Sequence, residues 1–510
     1  MDETYAKTPG MPARRPAHLY GALLVCIALG ACGSSAPADM SAPTAGTAAI
    51  PSTAGTSRAQ LLDWPEFGLK AQRTDASPLS TGITAANVTH LHRVTVSLPG
   101  TVDSSPIYLH EATVAGASHS VVVVTTTYGK TLALDAGSGH ILWTFTPAGY
   151  SRWAGSAQIT TASPLADPDR HFVYAASPNG LVHKLSLADG REAGGWPVKV
   201  TRDATHEKLA AALNVAGRYL LVATGGYFGD APPYQGHVMA IDRTSGMVAS
   251  VFNTLCANRT QIIVPSSCSA SDSAILSRGG AVVEPGGRQV LLSTGNGPWN
   301  GTTNFGDSVV ELALPGLRLH QAFTPTNQAE LNESDTDLGS SAPVFLGQGR
   351  VLIAGKDGVM RVLSLAHLDG RPPAMPNRLG GEVQRLPLPG GGELFSAPAV
   401  WTQGKITAVF VGAEHATAAY SLSGGLMHLV WQNSNPGTSP VLAGGLLYVY
   451  DPSGGGVEVY RPRSGHPIAM LAGSPGHWNS PIVVDGHVVE PEGNANDHKL
   501  TGTLDLLSTR

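Results

Sequence analysis

The sequence predicts an all-β protein, a single eight-bladed β-propeller of four-stranded antiparallel blades over residues 61–510. Three observations carry this expectation. Charged residues make up only 14% of the 510, and 61 Gly and 37 Pro supply nearly a fifth of the chain. That composition favours short strands joined by tight turns over long solvated helices. From residue 100 onward one pattern recurs eight times: a small residue and often a Pro, an apolar strand, a Gly turn, a second strand. The copies are spaced by about 41 to 69 residues, enough for four short strands each, and a blade so built buries its faces only against neighbouring blades.

The first unit is the clearest. Ser105-Pro106 opens it, Val121–Val124 and Thr131–Leu134 are strands about a Tyr128-Gly129 turn, and Trp143 closes it. The later units open at Ser163-Pro164, Ala212-Leu213, Gly280-Ala281, Ala342-Pro343, Ala397-Pro398, Ser439-Pro440 and Ser480-Pro481. Insertions fall mostly in units three to five. The run His92–Leu98 precedes the first unit and is expected to complete the last blade and close the ring.

Ahead of the propeller, residues 1–31 read as an export signal. Arg14 and Arg15 form a basic start, and residues 19–31 are apolar but too short to span roughly 30 Å of hydrocarbon. The junction Leu29-Gly30-Ala31-Cys32 resembles the lipobox of bacterial lipoproteins. That resemblance implies acylation of Cys32 and an anchored protein of the cell envelope, facing the periplasm from the outer membrane if the host is Gram-negative. An ordinary secretory signal that happens to hold a cysteine is the alternative. Residues 32–60, rich in Ala, Ser, Thr, Gly and Pro, then read as a flexible tether. Two cysteines remain, Cys256 and Cys268, in a polar loop. Export favours a disulfide between them over free thiols or half a metal site. The net charge of −5 and the lack of a basic stripe argue against nucleic acid as a partner.

At "TLALDAGSGHILWTF" the chain resembles the PQQ-like propeller repeat family. Within that family, propeller lipoproteins similar to BamB dock other envelope proteins, and quinoprotein dehydrogenases hold pyrroloquinoline quinone (PQQ) and Ca²⁺ on the axis. The stretch Gly295-Asn296-Gly297-Pro298-Trp299-Asn300 resembles the segment that carries a Ca²⁺ ligand in quinoprotein alcohol dehydrogenases. The resemblance would make Asn296 and Asp335 metal ligands, Asp335 or Asp337 the catalytic base, and Asn296 and Lys356 cofactor contacts. An amide and carboxylates suit hard Ca²⁺, and a Lys suits charge developing on a reduced quinone. Each also has a plain turn reading: Asn296 as a residue at positive φ, Asp337 as an Asx turn, Lys356-Asp357-Gly358 as a hairpin. Features of the dehydrogenases are missing. There is no adjacent cysteine pair, residues 272–283 hold no aromatic floor, and Glu207 is a poor match for the Glu ligand. The leading expectation is therefore a lipid-anchored, monomeric envelope scaffold that needs no cofactor. The alternative is a PQQ- and Ca²⁺-dependent dehydrogenase acting on an alcohol or polyol.

Overall fold

The computed structural model describes residues 62–509, and the signal, Cys32 and most of the tether lie outside the described residues. Eight four-stranded antiparallel sheets follow one another along the chain. They span residues 107–145, 165–199, 214–253, 282–323, 344–387, 399–432, 438–471 and 482–508. Burial falls outward through each blade. In the seventh, every residue of the first strand Thr438–Ala443 is buried, whereas the fourth strand Pro467–Leu471 is mostly open to solvent. First strands thus face the axis and fourth strands the rim.

The last blade has only three strands of its own, and His92–Leu98 supplies the fourth. It pairs with Gly502–Ser508 from His92↔Ser508 to Leu98↔Gly502. The ring is closed by the two ends of the propeller chain, as the sequence predicts. Cys256 and Cys268 form a disulfide, as the sequence predicts. Helix is confined among the described residues to Gln328–Glu333 and a few 3₁₀ turns. No described helix is long and apolar enough to cross a membrane.

The segment 64–77 does something the sequence does not announce. It crosses one end of the ring and hydrogen-bonds to six blades. Trp64 exchanges both backbone bonds with Tyr108 of the first blade, and Pro65 accepts from Ala166 of the second. Ala71 accepts from Val283 of the fourth, Thr74 from Val400 of the sixth, and Asp75 from Leu442 of the seventh. Arg73 is fully buried beneath the axis, donating to Glu66, to Phe67 O, to Leu213 O of the third blade opening and to Gly279 O of the fourth. This end of the channel is stoppered, which leaves the other end as the place for a site.

Candidate functional site

The site is built from a position that recurs once per blade. Two residues before each unit's small opener stand Asp103, Thr161, Ala210, Arg278, Ser340, Phe395, Gly437 and Trp478, in blade order. Five of them line one axial cavity of about 480 Å³: Thr161, Ala210, Arg278, Phe395 and Trp478. Arg278, on the fourth blade, reaches across to Asp103 on the first, with 2.5 Å between Nη2 and Oδ1, and also donates to Thr161 O. This buried bridge forms the floor. Burial would raise the Asp103 carboxyl, but the Arg278 guanidinium and His477 outweigh it and hold it well below the usual carboxylate range. Its two oxygens are full, for Oδ2 accepts from His477 Nδ1 at 2.8 Å and from Ala495 N at 2.9 Å.

Phe395 and Trp478 belong to the sixth and eighth blades. Between them the seventh blade presents Gly437, which has no side chain to interpose, and the two rings stack at 4.2 Å and 10°. Trp478 also stacks on His477 at 3.8 Å, and Arg278 lies 5.7 Å from its centroid. A second, smaller cavity of about 160 Å³, lined by Glu393, Glu414 and Gly437, lies against the same two rings.

The residues singled out in the sequence meet here. Asn296, Asp335, Asp337 and Lys356 all line the axial cavity. Asp337 is buried, with Oδ1 accepting from Asn296 N at 2.9 Å and Oδ2 paired with Lys356 Nζ at 2.5 Å. Gly295 permits this approach, since a Cβ there would sit 2.3 Å from Asp337 Oδ1. Burial lowers the Lys356 ammonium's pKa, but Asp337 more than compensates, so the net shift is upward and Lys356 stays charged. Two turn readings are corrected. Asn296 does not take positive φ; Gly297 does, at 154°. Asp337 opens no Asx turn, because both its oxygens are spent on Asn296 N and Lys356. The hairpin at 356–358 stands, between the strands Arg350–Ile353 and Val359–Ser364.

Several lining residues escaped the sequence reading: Tyr227, Phe228, Asp230, Asp272 and Lys208, with the ring Arg278–Phe395–Trp478. Asp230 and Asp272 are pushed up, first by burial and then by neighbouring carboxylates, Asp337 and Asp335 for Asp230 and above all Asp230 for Asp272. Behind the wall, Asp307 is buried and holds its proton up to about 8, mainly through desolvation. Glu207 turns away from the cavity, bonded to Thr201 and facing His237.

Residues 84–259 match the family model described as outer membrane protein assembly factor BamB. The chain is an eight-bladed β-propeller that over those residues resembles this family. None of the curated proteins matches it significantly. Among solved structures it is similar to quinohemoprotein alcohol dehydrogenase from Comamonas testosteroni, at 14% identity, TM-score 0.62, with 88% of this chain and 80% of that one covered. It is also similar to a europium-containing methanol dehydrogenase, at 15% identity, TM-score 0.64 and coverage of 88% and 98%. BamB from Moraxella catarrhalis matches at 14% identity, TM-score 0.50 and coverage of 82% and 99%. Likeness at such identities establishes the fold.

The donors lining the axial cavity fit Ca²⁺ and a quinone poorly. Asp337 is engaged by a backbone amide and by the Lys356 ammonium, and no three Asp, Glu, His or Cys side chains among the described residues converge to hold a metal. The aromatic floor expected from 272–283 has a stand-in, Trp478, but Phe395 and His477 already stack on it. A different catalytic geometry also occurs, with Ser177 Oγ 2.8 Å from His183 Nε2 and His183 Nδ1 2.5 Å from Glu192. Ser177 is fully buried, so this line serves the packing of the second blade.

Proposed function

We propose that the protein is a lipid-anchored scaffold of the cell envelope that docks other proteins on its rim. The observation that carries this reading is an apolar outer edge shared by two neighbouring blades. The fourth strand of the sixth blade, Leu426–Gln432, exposes Leu426, Leu429 and Val430, with Leu429 57% exposed. On the seventh blade, Met470 of the fourth strand Pro467–Leu471 is 48% exposed. The two edges are continuous, for Trp431 Nε1 donates to Pro462 O of the seventh blade at 2.7 Å. An apolar strand at a sheet edge offers unpaired backbone groups as well as apolar side chains, the features to which another chain adds a strand. Crosslinking of the anchored protein in its envelope, with a photoreactive residue at the neighbouring exposed His428, is expected to capture one reproducible protein partner. Capture of none, or the same capture from a Leu429→Lys, Val430→Lys variant, would overturn the reading.

A second reading is favoured by the convergence of Asn296, Asp335, Asp337 and Lys356 in one funnel. It is a PQQ- and Ca²⁺-dependent oxidation of an alcohol or polyol. It requires the Asp337–Lys356 pair to open and Trp478 to leave its partners. Reconstitution with PQQ and Ca²⁺ followed by absorbance spectra and dye-linked alcohol oxidation tests it, and absence of a bound quinone spectrum would exclude it.

A further inference from the structure

The smaller cavity, of about 160 Å³, belongs to neither reading. Phe395, Trp478, Pro436 and Pro452 give it apolar walls, and Glu393 and Glu414 give it carboxylates. No Lys, Arg or His lines it. Backbone bonds hold the two acids side by side: Glu393 N donates to Glu414 Oε2 at 3.1 Å, and Glu414 N to Glu393 O at 3.3 Å. The Glu393 carboxylate has no hydrogen bond or ion pair of its own among the described residues, and the charges that act on it are Lys356 against Glu414, Asp337 and Asp335. Lys356 is itself paired with Asp337 at 2.5 Å, and His415 reaches Glu414 only at 3.7 Å. Around this pocket carboxylate outweighs cation.

A second observation is independent of charge. In five blades the residue after the axial position is a polar one: Ser104, Ser341, Ser396, Thr438 and Asn479. Four of these bond a backbone carbonyl, Ser104 to Thr125 O, Ser341 to Ala354 O, Thr438 to Asn479 O and Asn479 to Val102 O. Ser396 does not. It lines the small cavity, is 1% exposed, and its hydroxyl has no hydrogen-bond partner among the described residues. A buried hydroxyl left this way is unfavourable until something enters to bond it. We propose that this pocket binds the ammonium of a primary alkylamine. The N–H groups answer Glu393, Glu414 and the Ser396 hydroxyl, and a short alkyl chain covers the rings and prolines. The small volume excludes a bulky ligand. A Ca²⁺ ion would use the carboxylates and leave the apolar walls bare, and a quaternary ammonium would bring no N–H to Ser396.

The probe is n-butylammonium chloride, titrated calorimetrically into the intact protein at neutral pH. Saturable binding is expected, with n-butanol and Ca²⁺ each at least about tenfold weaker. No saturation, or equal binding of the alcohol or of Ca²⁺, would overturn the proposal. Glu393→Gln is expected to weaken the amine at least about tenfold. Ser396→Ala is expected to weaken it about threefold while raising the thermal midpoint of the free protein, because the unpaired hydroxyl is gone. Unchanged amine binding in both variants would also overturn it. Asp272→Asn alters the axial cavity instead and is expected to bind the amine as the parent does; a loss there, with Glu393→Gln unaffected, would move the amine to the axial cavity and refute this site. The methylamide of Nα-acetyl-lysine carries the same ammonium on a peptide. Tighter binding than n-butylammonium assigns the pocket to a protein's lysine, and equal or weaker binding assigns it to a free amine. The titration touches neither rim docking nor quinone binding, so its failure leaves both readings as they stand.

Discussion

At the scale of single residues, two carboxyls carry opposite consequences. Asp337 is charged and spent on holding Asn296 N and Lys356. Asp337→Asn leaves a half-buried ammonium with an amide oxygen for company. The expected loss is about 2 kcal/mol, below the full cost of breaking a buried pair because Lys356 keeps some water. Denaturant unfolding with the Lys356→Met, Asp337→Asn double variant checks it, since the double variant should recover most of the loss. Glu490 is the reverse. It is fully buried in the last blade, neither oxygen has a partner, and Glu492 and Asp505 stand near. Burial first, then those like charges, push its carboxyl up to about 9. The unfolded chain loses this proton near 4, so rising pH favours unfolding between about 4 and 9. Glu490→Gln is therefore expected to gain thermal midpoint relative to the parent as pH rises from 5 to 9. Parallel curves for the two proteins would refute it. Asn296, Asp337 and Lys356 were legible because they sit in a quotable motif. Lys208 and Trp478 were not, because nothing local marks them. Phase marks Trp478: once each small opener is aligned, the axial residue is two positions earlier, whereas Lys208 stands four before Ala212.

At the scale of elements, repeats and turns were readable and long-range tethers were not. The strands follow from apolar runs punctuated by Gly, a local property of the chain. The stopper at 64–77 has no periodicity of its own, and its bonds reach blades up to several hundred residues away. Its hub is Arg73, which bonds Glu66 and three backbone carbonyls with no exposure to solvent. Arg73→Met leaves those acceptors and a buried carboxyl unpaired, and a loss of about 3–5 kcal/mol is expected. Denaturant unfolding of the variant measures it; a change within 1 kcal/mol would show that the stopper is not held by this residue. The Cys256–Cys268 link acts more locally, since it closes a separation of only twelve residues. A Ser pair at these positions is expected to cost about 2 kcal/mol at most, read by the same method with and without reductant.

At the scale of the whole molecule, stability depends on the ring being closed. A propeller blade has one face toward each neighbour, so an open ring exposes two apolar faces and an unpaired edge. Here the closure is not a bond between finished blades. The last blade is finished by His92–Leu98, which lies a short stretch beyond the stopper that ties six blades together. Residues 64–98 therefore tie together blades that otherwise meet mainly their ring neighbours, with Arg278–Asp103 and Phe395–Trp478 as the contacts across the axis. A chain beginning at residue 62 keeps both devices, whereas one beginning at residue 99 loses both. The longer chain is expected to remain monomeric with a single unfolding transition. The shorter one is expected to lose several kcal/mol and to associate through Gly502–Ser508, the strand left without its partner. Light scattering on a sizing column and thermal unfolding distinguish them. A monomeric shorter chain with an unchanged midpoint would mean that the seven complete blades and the unfinished eighth hold the ring by face packing alone. Adding a free peptide of residues 92–98 to the shorter chain provides the complementary measurement. If strand pairing is what closes the ring, the peptide should raise the midpoint in a concentration-dependent way and reduce association. A peptide with Val94 and Val96 replaced by Asp should do neither, because Val94 pairs with Leu506 and Val96 with Leu504 on the open edge.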